Sequence, residues 1–510
     1  MKRFLSLIIC LCLTFNSMLL TACMLSQSSD DENKSNDNSS THNNDNKNEN
    51  NSDGDTIQEG TLENGIGNGA ESGNTPGGNV SGGTNDSDNT NESGTSGDTY
   101  EGESKPGVVP GDSSTVTNLT PDINDPEKYS DFDLPREKLE EALEEAIKKI
   151  DYALPTFTDK YPAHNSENNV YPAVNNDNGW NTGFWTGILW HAYELTGDDK
   201  YKDVALGQIP SYYYRIMNKI GVNHHDMGFV FMPSCVAAYM LTGDKDAKEA
   251  AIMAADHLIT RYHETGEFIQ AWGNVGADNN YRLIVDCLMN IPLLYWATEV
   301  TGDAKYRDIA YKHFKTTVSV CYREDGSTYH TYYFDKETGE PIKGVTAQGA
   351  SDESTWARGQ AWGMYGPLLT YIYEEDPAAL EVFKSTANYF LNYLPSDYVA
   401  YWDLSFNDGA YEPKDSSSAA IALCALLEGV KHMDDSDPYK ALYINAAKRI
   451  MNSLIDHYTT KDVPEANGLL LHGTYSKPGG NGIDEMTIWG DYFYLEALHR
   501  MLDPEWELYW

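Results

Sequence analysis

Two carboxylates in this sequence stand where their chemistry would differ from that of an ordinary surface acid. Asp286 lies within the apolar stretch YRLIVDCLMNIPLLYWATEVT, and Asp226 follows two histidines in NHHDMGF. An ionised carboxylate loses hydration in such a setting, so it requires a partner or a raised pKa. Two acids of this kind could exchange protons with a substrate near neutral pH. The alternative interpretation is structural, a helix Asp286 tied to Arg282 and Asn290 on one face.

The elements that would position these acids are helices of two alternating kinds. One kind is apolar nearly all round, as in VAAYML, and the other is amphipathic, as in KYRDIAYKHFKTTV. Six hairpins of this type are typical of a closed barrel, with an inner ring inside an outer ring. The sequence therefore predicts an all-α, six-hairpin (α/α)6 barrel. The predicted helices span 136–152, 181–195, 199–218, 227–241, 244–264, 281–301, 303–322, 355–374, 376–393, 415–432, 436–458 and 485–502.

The connections between these helices indicate which end of the barrel carries the site. A short repeat, LTGD at 195–198 and 241–244 and VTGD at 300–303, joins inner helices to outer ones. Its Gly suits a helix C-cap and its Asp the N-cap of the next helix. Connections in the other direction are mostly long, and long loops on a rigid scaffold often carry function. We therefore expect the site at the end where inner helices begin.

Aromatic and polar side chains are frequent at this predicted end. Aromatic faces with interspersed polar groups are surfaces on which sugar rings stack and form hydrogen bonds. Together with paired acids, they favour carbohydrate chemistry, and no Ser-His-Asp elbow or phosphate loop competes with that interpretation. The residues at helix starts or in the long loops are Trp180, Trp185, His224, His225, Asp226, Trp272, Asp286, His330, Gln348, Trp356, Arg358, Gln360, Trp362, His472 and Tyr475.

The N-terminal part of the chain predicts export and a tether. Lys2 and Arg3 precede a short apolar run that ends in the tetrapeptide LTAC at 20–23, which resembles the lipobox of bacterial lipoproteins. This predicts a signal peptide over 1–22, lipidation at Cys23 and attachment to the outer face of the cell membrane. The alternative is a plain secretory signal. Residues 23–129 are rich in Asn, Asp, Ser and Gly, which predicts a disordered tether before a catalytic domain over 130–510.

Composition restricts the partners of this domain. The formal net charge of -42 argues against nucleic acid. Cys235, Cys287, Cys321 and Cys424 lie in apolar runs without CxxC spacing, so we expect buried free thiols. The His and Asp residues show no further ligand at usable spacing, so we predict neither a metal nor a cofactor. The oligomeric state stays open between monomer and dimer.

Five motifs in order resemble the unsaturated glucuronyl hydrolase family of glycoside hydrolases. They are HHDMGF (224–229), RLIVDCLMNIPLLYWAT (282–298), STWARGQAWGMYG (354–366), KDSSSAAIA (414–422) and IWGDYFYLEAL (488–498). The resemblance covers about 131–510. It implies hydration of the double bond between carbons 4 and 5 of a terminal unsaturated glucuronic acid, on oligosaccharides that lyases produce from glycosaminoglycan-type polysaccharides.

The resemblance also implies roles for individual residues. Asp286 would donate a proton to carbon 4 and then act as base for the water that arrives at carbon 5. Asp226 matches the second essential carboxylate. The residues that would bind substrate are Trp180 or Trp185, His225, Trp272, His330, Gln348, Trp356, Arg358, Trp362, Tyr475 and Ser476. Among them, Arg358, His330 and Gln348 are candidate donors to the substrate carboxylate.

Two other functions compete with this interpretation. One is unsaturated rhamnogalacturonyl hydrolysis, with the same chemistry on pectin fragments, but HHDMGF and ARGQAWG favour the glucuronyl side. The other is a surface lipoprotein that binds oligosaccharides without catalysis, which would not need two inward carboxylates.

The last loop of this chain departs from the family pattern. Some relatives carry Ser-x-x-Ser-x-Lys there, which resembles a sulfate-holding patch, whereas this chain has SKPGGN at 476–481.

Overall fold

The computed structural model describes residues 121–510, and most of them are helical. The predicted signal peptide, Cys23 and most of the predicted tether lie outside the described residues. In chain order, the α-helices are α1 Arg136–Ala153, α2 Thr182–Thr196, α3 Asp199–Met217, α4 Met227–Phe231, α5 Ala237–Thr242, α6 Lys245–Ile259, α7 Pro292–Thr301, α8 Lys305–Cys321, α9 Ala357–Glu374, α10 Pro377–Tyr393, α11 Ser416–His432, α12 Lys440–Ser453 and α13 Ile488–Leu502.

Short strands lie in the connections that lead into the buried helices. They form antiparallel pairs β1 with β2, β3 with β4 and β8 with β9, and a three-stranded sheet in the order β5-β6-β7. Their bounds are β1 Tyr161–Pro162, β2 Ala173–Val174, β3 Tyr262–His263, β4 Phe268–Ile269, β5 Arg282–Ile284, β6 Thr331–Phe334, β7 Pro341–Val345, β8 Gly473–Ser476 and β9 Asn481–Glu485.

The most deeply buried helical segments contact one another in cyclic order. The order is α2, the segment from α4 to α5, the segment that ends in α7, α9, α11, α13 and then α2 again. The remaining longer helices, α1, α3, α6, α8, α10 and α12, are half-buried and pack against these segments. The predicted alternation of fully buried and half-buried helices is therefore confirmed. In residues 121–510, no helix is both long and apolar enough to span a membrane.

The predicted glycine ends of the helix joins are confirmed as well, and so are two of the three predicted aspartate N-caps. At the third join, Ala304 stands at the N-cap position and Asp303 lies one residue before it. Gly197, Gly243 and Gly302 end their helices with φ angles of 71°, 73° and 75°, which glycine adopts without strain. Asp198 caps α3 by accepting from the backbone N–H of Lys200, and Asp244 caps α6 in the same way. Each hairpin thus turns tightly at one end and leaves the long connections at the other.

The prediction of one continuous helix over 281–301 is wrong. Residues Arg282–Ile284 form β5 and pair with β6, and a 3-10 helix, Val285–Met289, follows before α7 begins at Pro292. Proline lacks an N–H and suits the first turn of a helix, so it marks a true start. Arg282 donates to the Tyr333 hydroxyl at 2.9 Å, which contradicts the alternative interpretation in which Asp286 is tied to Arg282 along a helix face.

The predicted helix over 227–241 is also interrupted. A π-helix, Met232–Val236, separates α4 from α5. Pro233 lies inside this turn and has no N–H for the regular hydrogen bond of an α-helix, which accounts for the wider turn.

The packed domain begins before the predicted boundary at residue 130. Tyr129 is buried, and its hydroxyl donates to the backbone oxygen of Leu391 at 2.6 Å. Ile123 is buried too, and the Asn388 amide donates to the oxygen of Pro121 at 2.9 Å. The segment from 121 to 129 therefore belongs to the folded domain, because its few apolar residues find partners on α10 that local composition does not reveal.

Candidate active site

Asp226 and Asp286 lie on either side of one buried imidazole. Nε2 of His225 lies 3.3 Å from Asp226 Oδ1 and 3.4 Å from Asp286 Oδ1. Neither ring nitrogen of His225 has a hydrogen-bond partner among residues 121–510, and the ring is fully buried. Burial, followed by the charge of Arg261, lowers the pKa of His225 well below its ordinary value. The ring is therefore neutral, and the two acids carry the ionisable protons of this cluster.

The local fold holds the two acids together through Asn290. Asp226 immediately precedes α4, and Asp286 lies in the 3-10 helix before α7. The Asn290 amide nitrogen lies 3.4 Å from both Asp226 Oδ1 and the backbone oxygen of Asp286, and its oxygen accepts from the N–H of Phe229. Gly228 permits this approach, since a Cβ there would lie 2.4 Å from the Cα of Asn290.

The two acids differ in accessibility and share a raised pKa. The side chain of Asp286 is 18% exposed, whereas that of Asp226 is 3% exposed. Burial raises the pKa of Asp226 to about 7, opposed by the hydrogen bond from Asn290. Burial and then the charge of Asp226 raise the pKa of Asp286 well above its ordinary value, opposed by the charge of Arg358. Asp286 is thus the acid that a substrate can reach, and it can keep a proton near neutral pH.

Aromatic rings form a wall beside the acids. Trp180 stacks on Trp489 with centroids 4.7 Å apart, and its indole N–H lies 3.4 Å from the hydroxyl of Tyr475. Trp272 stacks on His224 at 4.9 Å and is 36% exposed. A half-buried Trp180 and an exposed Trp272 offer apolar faces on which a sugar ring can stack.

The guanidinium of Arg358 is fully engaged with the protein. Nη1 donates to Asp415 Oδ2 at 2.9 Å and to the backbone oxygen of Thr474 at 2.6 Å. Nη2 donates to the backbone oxygen of Tyr475 at 2.6 Å and to Gln348 Oε1 at 3.1 Å. These bonds use all four terminal N–H groups. In this arrangement the terminal N–H groups of Arg358 all donate to protein oxygens, and the expectation that Arg358 binds the substrate carboxylate stays a prediction.

His330 and Gln348 retain free donors. His330 Nδ1 accepts from the N–H of Ala347 at 2.9 Å. Burial, then the charges of Arg282 and Arg358, lowers the pKa of His330 to about 3. The neutral ring therefore carries its hydrogen on Nε2, which has no hydrogen-bond partner among the described residues. The side-chain nitrogen of Gln348 is likewise without a partner there, because only its oxygen is bound by Arg358.

A match to a family model shows which kind of protein carries this combination of acids and aromatic rings. Residues 151–502 match the model described as Glycosyl Hydrolase Family 88. The chain belongs to Glycosyl Hydrolase Family 88. It is therefore a glycosidase, and its resemblance to the unsaturated glucuronyl hydrolases is confirmed by the proteins to which it is similar.

Three comparisons place this family 88 member among its relatives. The unsaturated chondroitin disaccharide hydrolase of Streptococcus pneumoniae is 46% identical over 389 residues, 76% of this chain and 98% of the relative. A crystal structure of unsaturated glucuronyl hydrolase from Streptococcus agalactiae is 48% identical with a TM-score of 0.75, covering 77% and 98% of the two chains. A variant of that enzyme complexed with dGlcA-GalNAc6S is 45% identical with a TM-score of 0.69, covering 76% and 97%.

Most predicted site residues of this glycosidase lie together, but Trp185 does not. Its indole N–H donates to the backbone oxygen of Phe157 at 3.0 Å, and its ring packs edge-on against Phe157. Of the two tryptophans between which the choice was left open, Trp180 is the one that lies with the other predicted site residues, because it contacts Tyr475. That Trp180 contacts substrate stays a prediction. The prediction that Trp185 binds substrate is wrong because its side chain is directed into the protein core.

The other predicted aromatic residues differ in depth. The Trp356 ring lies 4.5 Å from the guanidinium carbon of Arg358 and edge-on to His330, so it supports both side chains. Trp362 is almost fully buried and packs against Phe229, a ring that also contacts Trp180. Trp362 therefore lies beneath the wall. Ser476 Oγ accepts from the N–H of Gly479 inside the β8–β9 turn.

Sequence reasoning missed two residues that the structure places in the site. Asp415 binds Arg358, and Trp489 forms one half of the aromatic stack with Trp180. Both lie within the motifs KDSSSAAIA and IWGDYFYLEAL and stand at the start of a buried helix. Their position at the same end of the molecule as the acids was the signal that could have identified them.

One group of side chains in residues 121–510 could hold a metal ion. Single ligand atoms of His225, Asp226 and Asp286 lie within 4.8 Å of one another. The expectation that no further ligand falls at usable spacing is wrong, because the fold unites residues that are distant in sequence. The same carboxylates cannot bind a cation and hold the reacting proton at once, so activity without a metal stays our prediction.

Proposed function

We propose that this glycosidase releases terminal 4,5-unsaturated glucuronic acid from oligosaccharides that lyases produce from glycosaminoglycan-type polysaccharides. The observation that carries the proposal is the meeting of Asp226 and Asp286 at His225, beside the wall of Trp180, Tyr475 and Trp272. The substrate class follows from the names of the relatives and from the dGlcA-GalNAc6S bound to the S. agalactiae variant.

In the first step, the protonated carboxyl group of Asp286 donates its proton to carbon 4 of the double bond. Positive charge then develops over carbon 5 and the ring oxygen, as in an oxocarbenium ion. Asp226, only slightly exposed and close by, stabilises this charge when ionised. Its negative charge also helps to keep the proton on Asp286 before the reaction.

In the second step, water adds to carbon 5 while the carboxylate of Asp286 takes up the proton that this water loses. The enzyme therefore returns to its starting protonation state. The product is a hemiketal, and the ring oxygen leaves carbon 5 to give a ketone there. Carbon 1 is then a hemiacetal, which becomes an aldehyde as it expels the shortened saccharide. One water molecule is consumed and no redox step occurs.

The substrate carboxylate requires donors, and two neutral groups are available. His330 Nε2 carries a free hydrogen, and the Gln348 side-chain nitrogen has no partner in the described part of the chain. Arg358 lies next to Gln348 and adds positive charge without offering a terminal N–H. We assign carboxylate binding to His330 and Gln348, which is consistent with their predicted place in the site.

The loop after Tyr475 favours substrates with little sulfate. The cationic group of Lys477 lies 3.9 Å from Glu412 Oε2, and Glu412 is held by the indole N–H of Trp402 at 2.9 Å. The carboxylate partly offsets the charge of Lys477 and repels an approaching sulfate. We therefore expect unsulfated disaccharides to be turned over better than sulfated ones.

The proposal includes the architecture and the location of the enzyme. We infer from the cyclic contacts of the buried helical segments, with the half-buried helices packed against them, that the domain is an (α/α)6 barrel. We also propose export as a lipoprotein, anchored through Cys23 and facing outward, on the basis of the LTAC sequence at 20–23.

The test of the reaction uses unsaturated chondroitin disaccharide and follows the loss of absorbance of the conjugated uronate. Turnover in water enriched in heavy oxygen should place the label on the former carbon 5. Label on the reducing carbon of the released sugar would instead mean direct attack on the glycosidic carbon. A disaccharide that binds and is recovered unchanged would favour the non-catalytic alternative.

A further inference from the structure

Asp415 is a fully buried carboxylate at the start of α11 with partners on two sides. Its Oδ2 accepts from Arg358 Nη1 at 2.9 Å. Its Oδ1 accepts from the hydroxyl of Ser417 at 2.5 Å and lies 3.3 Å from the backbone nitrogen of Thr474. The reaction described above makes no use of Asp415. On one side a single residue, Arg358, connects Asp415 to the strand of Tyr475. On the other side a single residue, Ser417, connects it to Trp489.

The first side leads through Arg358 to two loops. The guanidinium donates to the backbone oxygens of Thr474 and Tyr475 in β8 and to the side-chain oxygen of Gln348. These bonds fix the strand that carries the Tyr475 ring. They also orient the Gln348 amide so that its nitrogen is left free. Asp415 compensates the charge of a guanidinium that is almost fully buried.

The second side leads through Ser417 to the aromatic stack. The Ser417 hydroxyl donates to Asp415 and accepts from the indole N–H of Trp489 at 3.0 Å. Trp489 in turn stacks on Trp180 at 4.7 Å. A single carboxylate is therefore linked by hydrogen bonds to both halves of the wall, the Tyr475 strand and the Trp489–Trp180 stack.

We propose that Asp415 is a positioning residue for substrate binding, which fixes Tyr475 and Gln348 through Arg358 and Trp180 through Ser417 and Trp489. The identity of the bound sugar rests on the proposed function. Contacts of the wall with the sugar are equally available before and during the reaction, so their loss should raise KM more than it lowers kcat.

The chain offers a matched control at the other end of the same helix. Glu428 pairs with the buried Arg500 at 2.6 Å, and thirteen residues of helix separate it from Asp415, a distance of roughly 20 Å. Glu428→Gln thus removes a buried carboxylate partner of an arginine without touching the wall, although Arg500 keeps Glu496 as a second carboxylate partner. Both substitutions should lower Tm, but only Asp415→Asn should affect substrate binding.

The experiment measures KM and kcat of full-length Asp415→Asn, Asp415→Glu and Glu428→Gln with unsaturated chondroitin disaccharide. For Asp415→Asn we expect KM to rise at least about tenfold with kcat within about threefold, partial recovery in Asp415→Glu, and KM within about twofold of wild type in Glu428→Gln. Substrate quenching of tryptophan fluorescence should weaken in Asp415→Asn alone. Equal KM values in Asp415→Asn and Glu428→Gln would overturn the proposal.

Two further measurements distinguish a failure of this proposal from a loss of folding and from a failure of the proposed function. If Asp415→Asn does not fold, Ser417→Ala removes only the link to Trp489, and an unchanged KM in that variant would overturn the proposal. If wild type binds the disaccharide without turning it over, the proposed function fails. The dissociation constants of the same variants, measured by calorimetry, then decide the role of Asp415 in the same way.

Discussion

Asp286 Oδ1 lies 3.4 Å from Nε2 of His225, a fully buried ring without any hydrogen-bond partner in residues 121–510. The same nitrogen lies 3.3 Å from Asp226 Oδ1. A neutral ring between two carboxyl groups screens their repulsion poorly, so the pair holds a proton more readily than two solvated acids would. Because Asp286 is the more exposed of the two, the proton available to a substrate belongs to Asp286.

Asp286→Asn should remove catalysis while leaving binding. The amide preserves shape but cannot transfer a proton, and general acid–base catalysis contributes a factor of about a hundred to ten thousand. We expect kcat to fall at least by that factor, with the dissociation constant of the disaccharide changed little. Absorbance assays and calorimetry measure the two quantities. Asp303→Asn, at an exposed carboxylate that accepts from the backbone N–H of Lys305, serves as the control, and retention of wild-type kcat by Asp286→Asn would exclude the assigned role.

The pH dependence of kcat/KM should report the charge of Asp226. Asp286 must be protonated to donate, so kcat/KM should fall as pH rises through its raised pKa. Asp226→Asn removes a negative charge that contributes to raising the pKa of Asp286, although burial contributes more. In the residual activity of this variant, the fall should therefore begin at lower pH than in wild type. A fall displaced to higher pH would contradict the arrangement described here.

Removal of divalent cations should leave turnover intact. His225, Asp226 and Asp286 could together bind a cation, but the proposed reaction uses both carboxylates for proton transfer and charge stabilisation. Dialysis against a strong chelator, followed by metal analysis of the protein, provides the test. Loss of activity that one particular divalent ion restores would show that the reaction requires a metal.

Deletion of residues 121–129 should destabilise the domain. Ile123 and Tyr129 are buried, and burial of one such side chain is worth about 1.5–3 kcal/mol as an upper estimate. A protein that begins at residue 130 should therefore unfold at a lower temperature than one that begins at residue 121. The kcat of the folded enzyme should stay the same, since hydrogen bonds join this segment to α10 and not to the acids. Equal Tm values for the two proteins would refute the extended boundary.

Cys23→Ser should release the enzyme from the membrane. The substitution removes the thiol to which the lipid would be attached, while the catalytic domain is unaltered. Fractionation of cells should move the protein from the membrane to the soluble exported fraction, with kcat unchanged. Continued retention of the variant on membranes would rule out lipid anchoring at Cys23.

Several features of the fold could be predicted because they depend on neighbouring residues. The glycine C-caps and aspartate N-caps of the hairpin joins are local, as are the apolar and amphipathic helix patterns. Residues at the starts of the buried helices do lie together, as the contacts of Trp180 with Trp489 and of Arg358 with Asp415 show. That the site lies at this end stays a prediction. The prediction for 281–301 failed because β5 pairs with β6, a strand that lies much later in the chain.

By itself, the sequence determined the alternation of buried and half-buried helices, the end at which the site is expected and the two acids with their aromatic neighbours. The tertiary structure alone decided that Trp185 lies in the core, that Arg358 donates to protein oxygens, and that Asp415 connects both halves of the wall. Periodicity and capping act over a few residues, so they can be deduced from the chain. Hydrogen-bond partners and burial depend on which distant segments meet, and only the folded protein specifies that.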